Sequence, residues 1–268
     1  MLLSLGGRRI HYDLAGPESG PVLCITHSLA SDGGMWGEQM APLLNAGWRV
    51  LRIDMRGHGG SDPVQGDYSM DELADDCAAV LEALQLGPVH YMGLSIGGMF
   101  GHGLALRHAR LLKSLMLCDT SCAAPPGAKD VWAQRIAAVR KAESLEPIAD
   151  GTIERWFTPA MKQKNPRRLK QIRDTIAGTT AAGFCGCGAA ITSFDYTARL
   201  PQITLPTLVV WGAEDPGTPP EGNRLIVKLI PGAKGEEIPG MRHFPNVEAP
   251  DAFNRVMMGW LEARRAAS

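Results

Sequence analysis

The sequence lacks an excess of charge of either sign, because its 27 lysine and arginine residues nearly balance its 28 aspartate and glutamate residues. This balance gives no indication of a nucleic-acid or membrane partner, since such partners favour strongly basic surfaces. An apolar run long enough to span a bilayer is also lacking. At the N-terminus, Arg8 and Arg9 follow a very short apolar run, which reverses the order of a secretory signal. We therefore expect a cytoplasmic protein with no nucleic-acid and no membrane partner.

Cysteine spacings typical of metal or redox sites are lacking as well. Three of the six cysteines, Cys24, Cys77 and Cys118, lie within apolar strand or helix patterns, where a free cysteine acts as a small core residue. Cys185 and Cys187 are spaced more closely than a redox Cys-x-x-Cys pair, and no second ligand pair accompanies them. We therefore expect reduced thiols in a reducing compartment and no zinc site.

Strand-like and helix-like patterns alternate over most of the 268 residues. Apolar runs such as 22–26 and 89–92 are typical of strands buried on both faces, and helical patterns separate them. This alternation predicts an α/β fold with a mostly parallel sheet flanked by helices. Over residues 121–200 the strand pattern stops and helical patterns follow one another. We predict a core domain formed by residues 1–120 and 201–268, with a helical cap at 121–200 over the carboxyl edge of the sheet.

A Gly-x-Ser-x-Gly segment, residues 93–97, lies between an apolar strand pattern and a helical pattern. This is the motif of a nucleophile elbow, in which a sharp strand-to-helix turn exposes the serine hydroxyl. Glycines two residues to either side of the serine allow the neighbouring strand and helix to approach closely. The motif can also arise by chance in a chain with 31 glycines, but its position between strand and helix makes Ser95 the candidate nucleophile.

A serine hydroxyl is a weak nucleophile and needs a base that is itself oriented by an acid. Downstream of Ser95, Asp215 lies in a predicted loop just beyond an apolar strand pattern, and Glu214 beside it is the alternative acid. His243 is the last histidine of the chain and lies in a loop beyond the last predicted strand, whereas His58, in a glycine-rich loop, is a less favoured base. The order Ser, Asp, His is that of nucleophile-elbow enzymes. We therefore predict that these three residues form a catalytic triad.

Acyl transfer also requires backbone N–H donors aimed at the developing oxyanion, each worth about 100-fold or more in rate. One donor is expected from Ile96, which directly follows the nucleophile. The other is expected from the loop after the strand at 22–26, where Leu29 is the best candidate. His27 in the same loop is expected to shape that loop rather than to act as a second base.

These motifs resemble those of the α/β-hydrolase superfamily and, within it, the 3-oxoadipate enol-lactonases of aromatic catabolism. The Ser, Asp and His motifs are specific only to the superfamily, whereas the cap segments 132–139 and 150–159 resemble the enol-lactonases. The resemblance also covers residues 27–30, 35–36, 56–59, 93–99 and 215–220. Enol-lactonases look like Asn-Ser-Leu-Gly at the oxyanion loop, and this chain has His27 and Ala30 at the ends of that motif. The backbone donor survives this change, and His27 is similar to what the broader superfamily carries.

The resemblance implies a cofactor-independent hydrolase, without a metal, that acts on a small anionic lactone. An enol-lactone with a carboxymethyl arm needs a cation and an apolar wall in its pocket. The resemblance and the location favour Arg135 with Trp132, on the first cap helix, and the equal alternative is that Arg135 is one of many solvated cap arginines. Trp36 is interpreted either as a further part of the pocket wall or as an ordinary core residue.

The expected reaction is therefore hydrolysis of a lactone through an acyl-enzyme on Ser95. Within enzymes, the alternatives are a carboxylesterase or a lactonase for another ring, such as an acyl-homoserine lactone. From a different class, the same fold can serve as a ligand receptor with little turnover, and a cofactor-free oxygenase or haloperoxidase-like activity is a further alternative. These motifs specify neither the physiological substrate nor the oligomeric state.

Overall fold

An eight-stranded sheet lies at the centre of the computed structural model, which describes residues 1–265. The strands are β1 (Leu2–Leu5), β2 (Arg8–Ala15), β3 (Val22–Thr26), β4 (Arg49–Ile53), β5 (Val89–Leu94), β6 (Leu112–Cys118), β7 (Thr207–Gly212) and β8 (Lys234–Ile238). Their order across the sheet is β1-β2-β4-β3-β5-β6-β7-β8. β1 and β2 pair antiparallel, as do β2 and β4, and the other neighbours are parallel. The prediction of a mostly parallel sheet is confirmed; residues 266–268 of the predicted core domain lie outside the described part.

Helices cover both faces of the sheet and form a group of their own between β6 and β7. They are α1 (Gly37–Asn45), α2 (Met70–Ala83), α3 (Ile96–Arg107), α4 (Ala128–Ala142), α5 (Glu146–Trp156), α6 (Pro159–Lys164), α7 (Pro166–Gly178), α8 (Ala181–Ser193), α9 (Pro220–Leu229), α10 (Pro245–Glu248) and α11 (Pro250–Arg265). Helices α4 to α8 lie within the segment predicted as a cap. Across residues 1–265, no helix combines the length and the apolarity that a membrane crossing requires.

The burial pattern of each strand explains how well the sequence pattern predicts that strand. Every residue of β5 and β7 is buried, and only the first residue of β3 is not, so that apolar side chains point to both faces. In β8, by contrast, four exposed residues precede the buried Ile238, because this strand lies at the edge of the sheet. The sequence pattern accordingly predicts a shorter strand, 236–238, than the five residues that pair with β7.

Local capping signals account for several helix boundaries. A capping box begins α2, since the Ser69 hydroxyl accepts from the Glu72 N–H and the Glu72 carboxylate accepts from the Ser69 N–H. Asn165 caps α7 by accepting from the Arg168 N–H at 3.1 Å. Helix α1 begins only at Gly37, although the helical sequence pattern includes Trp36, because residues 33–36 form a separate 3₁₀ turn capped by Asp32.

The helical group of α4 to α8 is attached to the core at several points over the carboxyl edge of the sheet. The backbone of Gly57, after β4, packs so closely on α8 that a Cβ there would lie 2.5 Å from Gly183 Cα. The Gly57 carbonyl accepts a hydrogen bond from the Thr180 hydroxyl at 2.8 Å. On the other side, the Glu248 carboxylate accepts from the N–H and the hydroxyl of Thr158, both at 2.7 Å. A cavity lies between these helices and the loops at this edge of the sheet.

Candidate active site

The turn between β5 and α3 holds Ser95 in a backbone conformation that an L-residue seldom adopts, with φ of 58° and ψ of −119°. The close contacts around it explain the two flanking glycines. A Cβ on Gly93 would lie 2.4 Å from the Gly97 carbonyl oxygen, and a Cβ on Gly97 would lie 2.7 Å from Thr26 Oγ1. Such strain persists only where the surroundings determine it, and it is typical of functional positions.

Hydrogen bonds to the end of β6 hold this turn in place. The Ser95 N–H donates to the Cys118 carbonyl at 2.9 Å, and the Ser95 carbonyl accepts from the Thr120 hydroxyl at 2.7 Å. The backbone is therefore fixed on both sides of the residue, while the side chain of Ser95 faces the cavity under the helices.

The structure brings Asp215 and His243 together from two loops at the same edge of the sheet. Asp215 follows β7, His243 follows β8, and a 2.7 Å contact joins His243 Nδ1 to Asp215 Oδ2. The Asp215 carboxylate also accepts from the Thr218 hydroxyl at 2.5 Å and from the Gly217 N–H at 2.7 Å. Burial acts to raise the pKa of Asp215, but His243 and these donors favour the carboxylate and hold the pKa below its usual value.

His243 and Ser95 line the same cavity, and because Asp215 contacts His243 through Nδ1, the second ring nitrogen, Nε2, remains available. The alternatives lie elsewhere. Glu214 is exposed, and His58 is fully buried and does not line the cavity. Burial, together with the nearby His27, lowers the pKa of His58 to about 3, so that His58 is a poor base.

The loop after β3 presents the predicted oxyanion donor Leu29 to the cavity. His27 shapes this loop, because its Nε2 accepts from the Met55 N–H at 2.9 Å and its Nδ1 lies 2.7 Å from the Ser28 carbonyl oxygen. Within residues 1–265, neither the Leu29 N–H nor the Ile96 N–H donates to a protein acceptor. The Ile96 side chain is fully buried away from the cavity, so only its amide, next to Ser95, can serve there.

A cavity of about 380 Å³ separates this edge of the sheet from the helices above it. The sheet side contributes Ser28, Leu29, Ser95 and His243, and the helical side contributes Trp132, Arg135, Arg155 and Trp156, with Phe184 behind them. Among the described residues that line the cavity, none is acidic. The cavity is therefore lined by aromatic side chains and by two positively charged ones.

Arg135, on α4, is a cation without an acidic partner among residues 1–265. Its guanidinium lies 4.4 Å from the ring centroid of Trp132 and 5.6 Å from that of Phe184. Its buried Nε has no hydrogen-bond partner among residues 1–265, and no carboxylate there forms an ion pair with it. Burial and the repulsion from Arg155 lower the pKa of Arg135 to about 9, which leaves it charged at neutral pH.

Arg155, on α5, is a cavity residue that the sequence reasoning missed. Its side chain donates to the Thr152 hydroxyl at 3.1 Å, and burial lowers its pKa. In the described part of the chain it too has no acidic partner. The spacing of Thr152, Arg155 and Trp156 could have revealed it, because residues at i, i+3 and i+4 share one face of a helix, and all three line the cavity.

Trp36 is not part of this cavity. It is fully buried at the end of the 3₁₀ turn, 6.1 Å from the ring of Phe253 on α11, and it does not line the cavity. The structure therefore corrects the pocket-wall interpretation in favour of the core one. The reason is that the turn ending at Trp36 directs the ring towards the sheet-flanking helices.

Asp119, Asp215 and His243 form a group whose oxygen and nitrogen atoms all lie within 4.8 Å of one another. Such atoms are of the type that binds metal ions. Within this group, a 2.7 Å hydrogen bond joins His243 Nδ1 to Asp215 Oδ2 and orients the imidazole ring.

Comparison with known proteins confirms the predicted resemblance. The family model for the alpha/beta hydrolase fold matches residues 21–250. The chain is 31% identical to 3-oxoadipate enol-lactonase 2 of Acinetobacter baylyi, over 92% of this chain and 91% of that protein. The crystal structure of the enol-lactonase from Burkholderia xenovorans has a TM-score of 0.93 and 31% identity, and the match covers 98% and 100% of the two chains. Est816, an N-acyl homoserine lactone degrading enzyme, has a TM-score of 0.81 and 30% identity, with 97% and 99% covered.

Proposed function

Since the chain belongs to the α/β-hydrolase family, we propose that it is a serine hydrolase that opens a small, carboxylate-bearing lactone through an acyl-enzyme on Ser95. The observation that carries this proposal is the pair Arg135 and Arg155, two cations without an acidic partner among the described residues, in the same cavity as Ser95 and His243. A buried charge is costly unless it is paired. A substrate carboxylate supplies the missing partner.

In the proposed acylation step, the Ser95 oxygen attacks the lactone carbonyl while His243 accepts the hydroxyl proton. Asp215 holds the imidazole and stabilises the cation that forms on it. The negative charge that develops on the carbonyl oxygen is met by the N–H groups of Leu29 and Ile96. When the ring C–O bond breaks, His243 returns the proton to the leaving oxygen.

The leaving oxygen of a lactone stays attached to the acyl group, so both halves remain in the cavity after ring opening. In the deacylation step, water attacks the ester on Ser95 and gives a proton to His243. Collapse of the intermediate returns that proton to Ser95 and releases a ring-opened carboxylate. An enol leaving group is a better leaving group than an alkoxide, which favours enol-lactones among the possible rings.

Binding of the substrate carboxylate is assigned to Arg135 and Arg155, with Trp132 and Trp156 as walls. The contact of Arg135 with the Trp132 ring orients the guanidinium and leaves its N–H edge free for a bidentate contact. Resemblance to enol-lactonases, 31% identical over nearly the whole chain, supports the same substrate class. His27 and Ala30 depart from the enol-lactonase pattern in the loop after β3; of the two, Ala30 lines the cavity, where it would contact a different ring.

A matched pair of substrates tests the proposal: an enol-lactone with a carboxymethyl arm, and the methyl ester of that arm. Arg135→Met is expected to lower kcat/KM for the carboxylate by about 10- to 100-fold, the value of a charge-assisted hydrogen bond, and to change the rate for the neutral ester little. Arg140→Met is the matched control, because Arg140 lies on the same helix but is exposed. Equal wild-type rates for the two substrates would contradict an anion-binding pocket.

A chelator separates the proposed mechanism from a metal-dependent one. Treatment with EDTA is expected to leave hydrolysis unchanged, because in the proposal His243 Nδ1 is engaged by Asp215 rather than by an ion. Loss of activity that Zn²⁺ or Mn²⁺ restores would instead assign Asp119, Asp215 and His243 to a metal site.

The second candidate is hydrolysis of a neutral ester or lactone, such as an acyl-homoserine lactone. It is favoured by the likeness to Est816 and by the aromatic walls of the cavity. A preference for long-chain acyl-homoserine lactones or p-nitrophenyl esters over the carboxylate would establish it. A persistent acyl-enzyme after a single turnover would favour a ligand receptor, and oxygen consumption would favour oxygenase chemistry.

A cytoplasmic location is part of the proposal. The six cysteines are all buried and unpaired by disulfides, and small intracellular metabolites are the substrates it assigns. Fractionation of cells that produce the protein tests this, and recovery of activity in a secreted fraction would contradict it.

A further inference from the structure

Asp119, at the carboxyl end of β6, is a buried acid for which the proposed mechanism has no use. Its side chain is fully buried, and its backbone has a φ of 40°. The Asp119 N–H donates to the Val210 carbonyl at 2.8 Å, and Asp119 Oδ1 accepts from the Gly212 N–H at 2.8 Å. Both contacts are with β7, so the carboxyl group is held at the point from which the Asp215 loop leaves the sheet.

The second oxygen, Asp119 Oδ2, is buried and has no hydrogen-bond donor among residues 1–265. Asp215 differs, because its two oxygens receive three donors, from His243, Thr218 and Gly217. Two neighbouring buried acids cannot both ionise cheaply, and the one with more donors keeps the charge. A protonated Asp119 is itself a donor, and the carboxylate within its reach is Asp215.

We propose that Asp119 is a positioning residue that stays protonated at neutral pH and donates its Oδ2 proton to the Asp215 carboxylate, which in turn orients His243. The acid pair thus carries one negative charge and one proton. The Asp119 oxygen that has no hydrogen-bond partner among residues 1–265 then becomes a donor, and Asp215 gains a fourth donor beside His243, Thr218 and Gly217. The proposal rests on the proposed catalytic roles of Asp215 and His243.

The charged and titratable neighbours agree with this assignment. Burial is the main cause that raises the pKa of Asp119 well above its ordinary value, and the charges of Asp215 and Glu248 act in the same direction. Only the Gly212 N–H opposes them. The neighbouring Cys118 is neutral, since burial raises its pKa also. The Glu248 side chain accepts hydrogen bonds from the Thr158 N–H and hydroxyl and from the Arg242 N–H.

Asp119→Asn is the decisive variant, because asparagine copies the protonated acid: its oxygen accepts from Gly212 and its NH₂ donates to Asp215. Infrared difference spectra of the free protein at neutral pH are expected to contain a buried carboxylic-acid C=O band that Asp119→Asn removes. Asp174→Asn, at an exposed position, is the control that keeps the band. Absence of the band in the wild type would overturn the proposal whatever the activity of the protein.

The pH profile of kcat/KM gives the second readout. Asp119→Asn is expected to keep the acidic limb of the profile in place and kcat within about twofold, whereas Asp119→Ala lowers kcat by about tenfold or more, since a donor to a charged group is lost. If Asp119 were ionised, asparagine would remove a negative charge beside His243 and shift the acidic limb to lower pH by about a unit. Such a shift would overturn the proposal, and the asparagine variant decides even if the alanine variant does not fold.

Discussion

The two regions that face each other across the cavity differ in how their charges are compensated. On the core side, the Asp215 carboxylate is hydrogen bonded to His243, Thr218 and Gly217. On the cap side, Arg135 and Arg155 have no acidic partner within residues 1–265. In the proposed mechanism, the core therefore holds a charge system that is complete before any ligand arrives, whereas the cap holds one that a substrate carboxylate would complete. On that proposal, the difference separates the residues that perform the reaction from those that choose the substrate.

The largest expected effect comes from removing the proposed nucleophile on the core side. Ser95→Ala is expected to lower kcat by about 10⁶-fold, because no other nucleophile takes its place. Binding of the ring-opened dicarboxylate product, measured by calorimetry, is expected to stay within about threefold, because the cap arginines are untouched. Thermal unfolding serves as the check that the variant is folded. Retention of most of the turnover would reject the elbow serine as nucleophile.

The next effect concerns the orientation of the base. Asp215→Asn is expected to lower kcat by about 10⁴-fold, because the amide favours the wrong tautomer of His243. Glu214→Gln, one residue earlier and exposed, is the matched control and is expected to change kcat by no more than about twofold. Comparable losses in both variants would mean that the acid had been assigned to the wrong residue.

The core side was largely accessible from sequence because each of its residues follows a recognisable strand. Ser95 directly follows β5, Asp215 and His243 lie in the loops after β7 and β8, and parallel strands bring their carboxyl ends to one edge. Asp119 follows β6 in the same way, but nothing in the sequence indicates that its second oxygen lacks a donor. That property depends on the distance between two loops that are remote along the chain.

The residues of the cap side were harder to predict from sequence, because no sheet fixes where the cap helices place their side chains. Arg135 was found through resemblance, while Arg155 was missed, although it shares a helix face with Trp156. The short helix α6 was missed as well, since its six residues are too few to show a period. For Trp36 the sequence left both the pocket wall and the core open, and the 3₁₀ turn directs its ring into the core.

A third effect completes the comparison from the cap side. Arg155→Met is expected to lower kcat/KM for the carboxylate substrate by about 10- to 100-fold, with the neutral methyl ester as internal control. In a double-mutant cycle with Arg135→Met, the combined loss is expected to fall short of the product of the single losses, because both cations bind one carboxylate. Strictly multiplicative losses would show that the two arginines act on separate groups.

A fourth effect concerns the pH dependence of folding stability. It belongs to the core side, because all seven histidines lie outside residues 121–200. Burial lowers the pKa of His102 to about 4, whereas the unfolded chain binds that proton near pH 6.5. The folded protein therefore loses stability as pH falls from about 6.5 towards 4. His102→Gln is expected to reduce this slope by up to about 1.4 kcal/mol per pH unit. Urea unfolding at pH 7.5, 6 and 5 measures it, and identical slopes would contradict the assignment.

The smallest expected effect is at Ala30, one of the two residues at which the oxyanion loop departs from the enol-lactonase pattern. Ala30 has a φ of 55°, a region that costs an L-residue about 1 kcal/mol and glycine nothing. Ala30→Gly relieves this strain but adds freedom to the unfolded chain, so the free energy of unfolding is expected to change by less than about 1 kcal/mol, with activity retained. Ala30→Val is expected to lose more than that, because a β-branched residue fits this region poorly. Because Leu29 precedes this residue, a kcat that falls in Ala30→Val while KM stays constant would tie the turn to the oxyanion donor, and an unchanged kcat would separate the two.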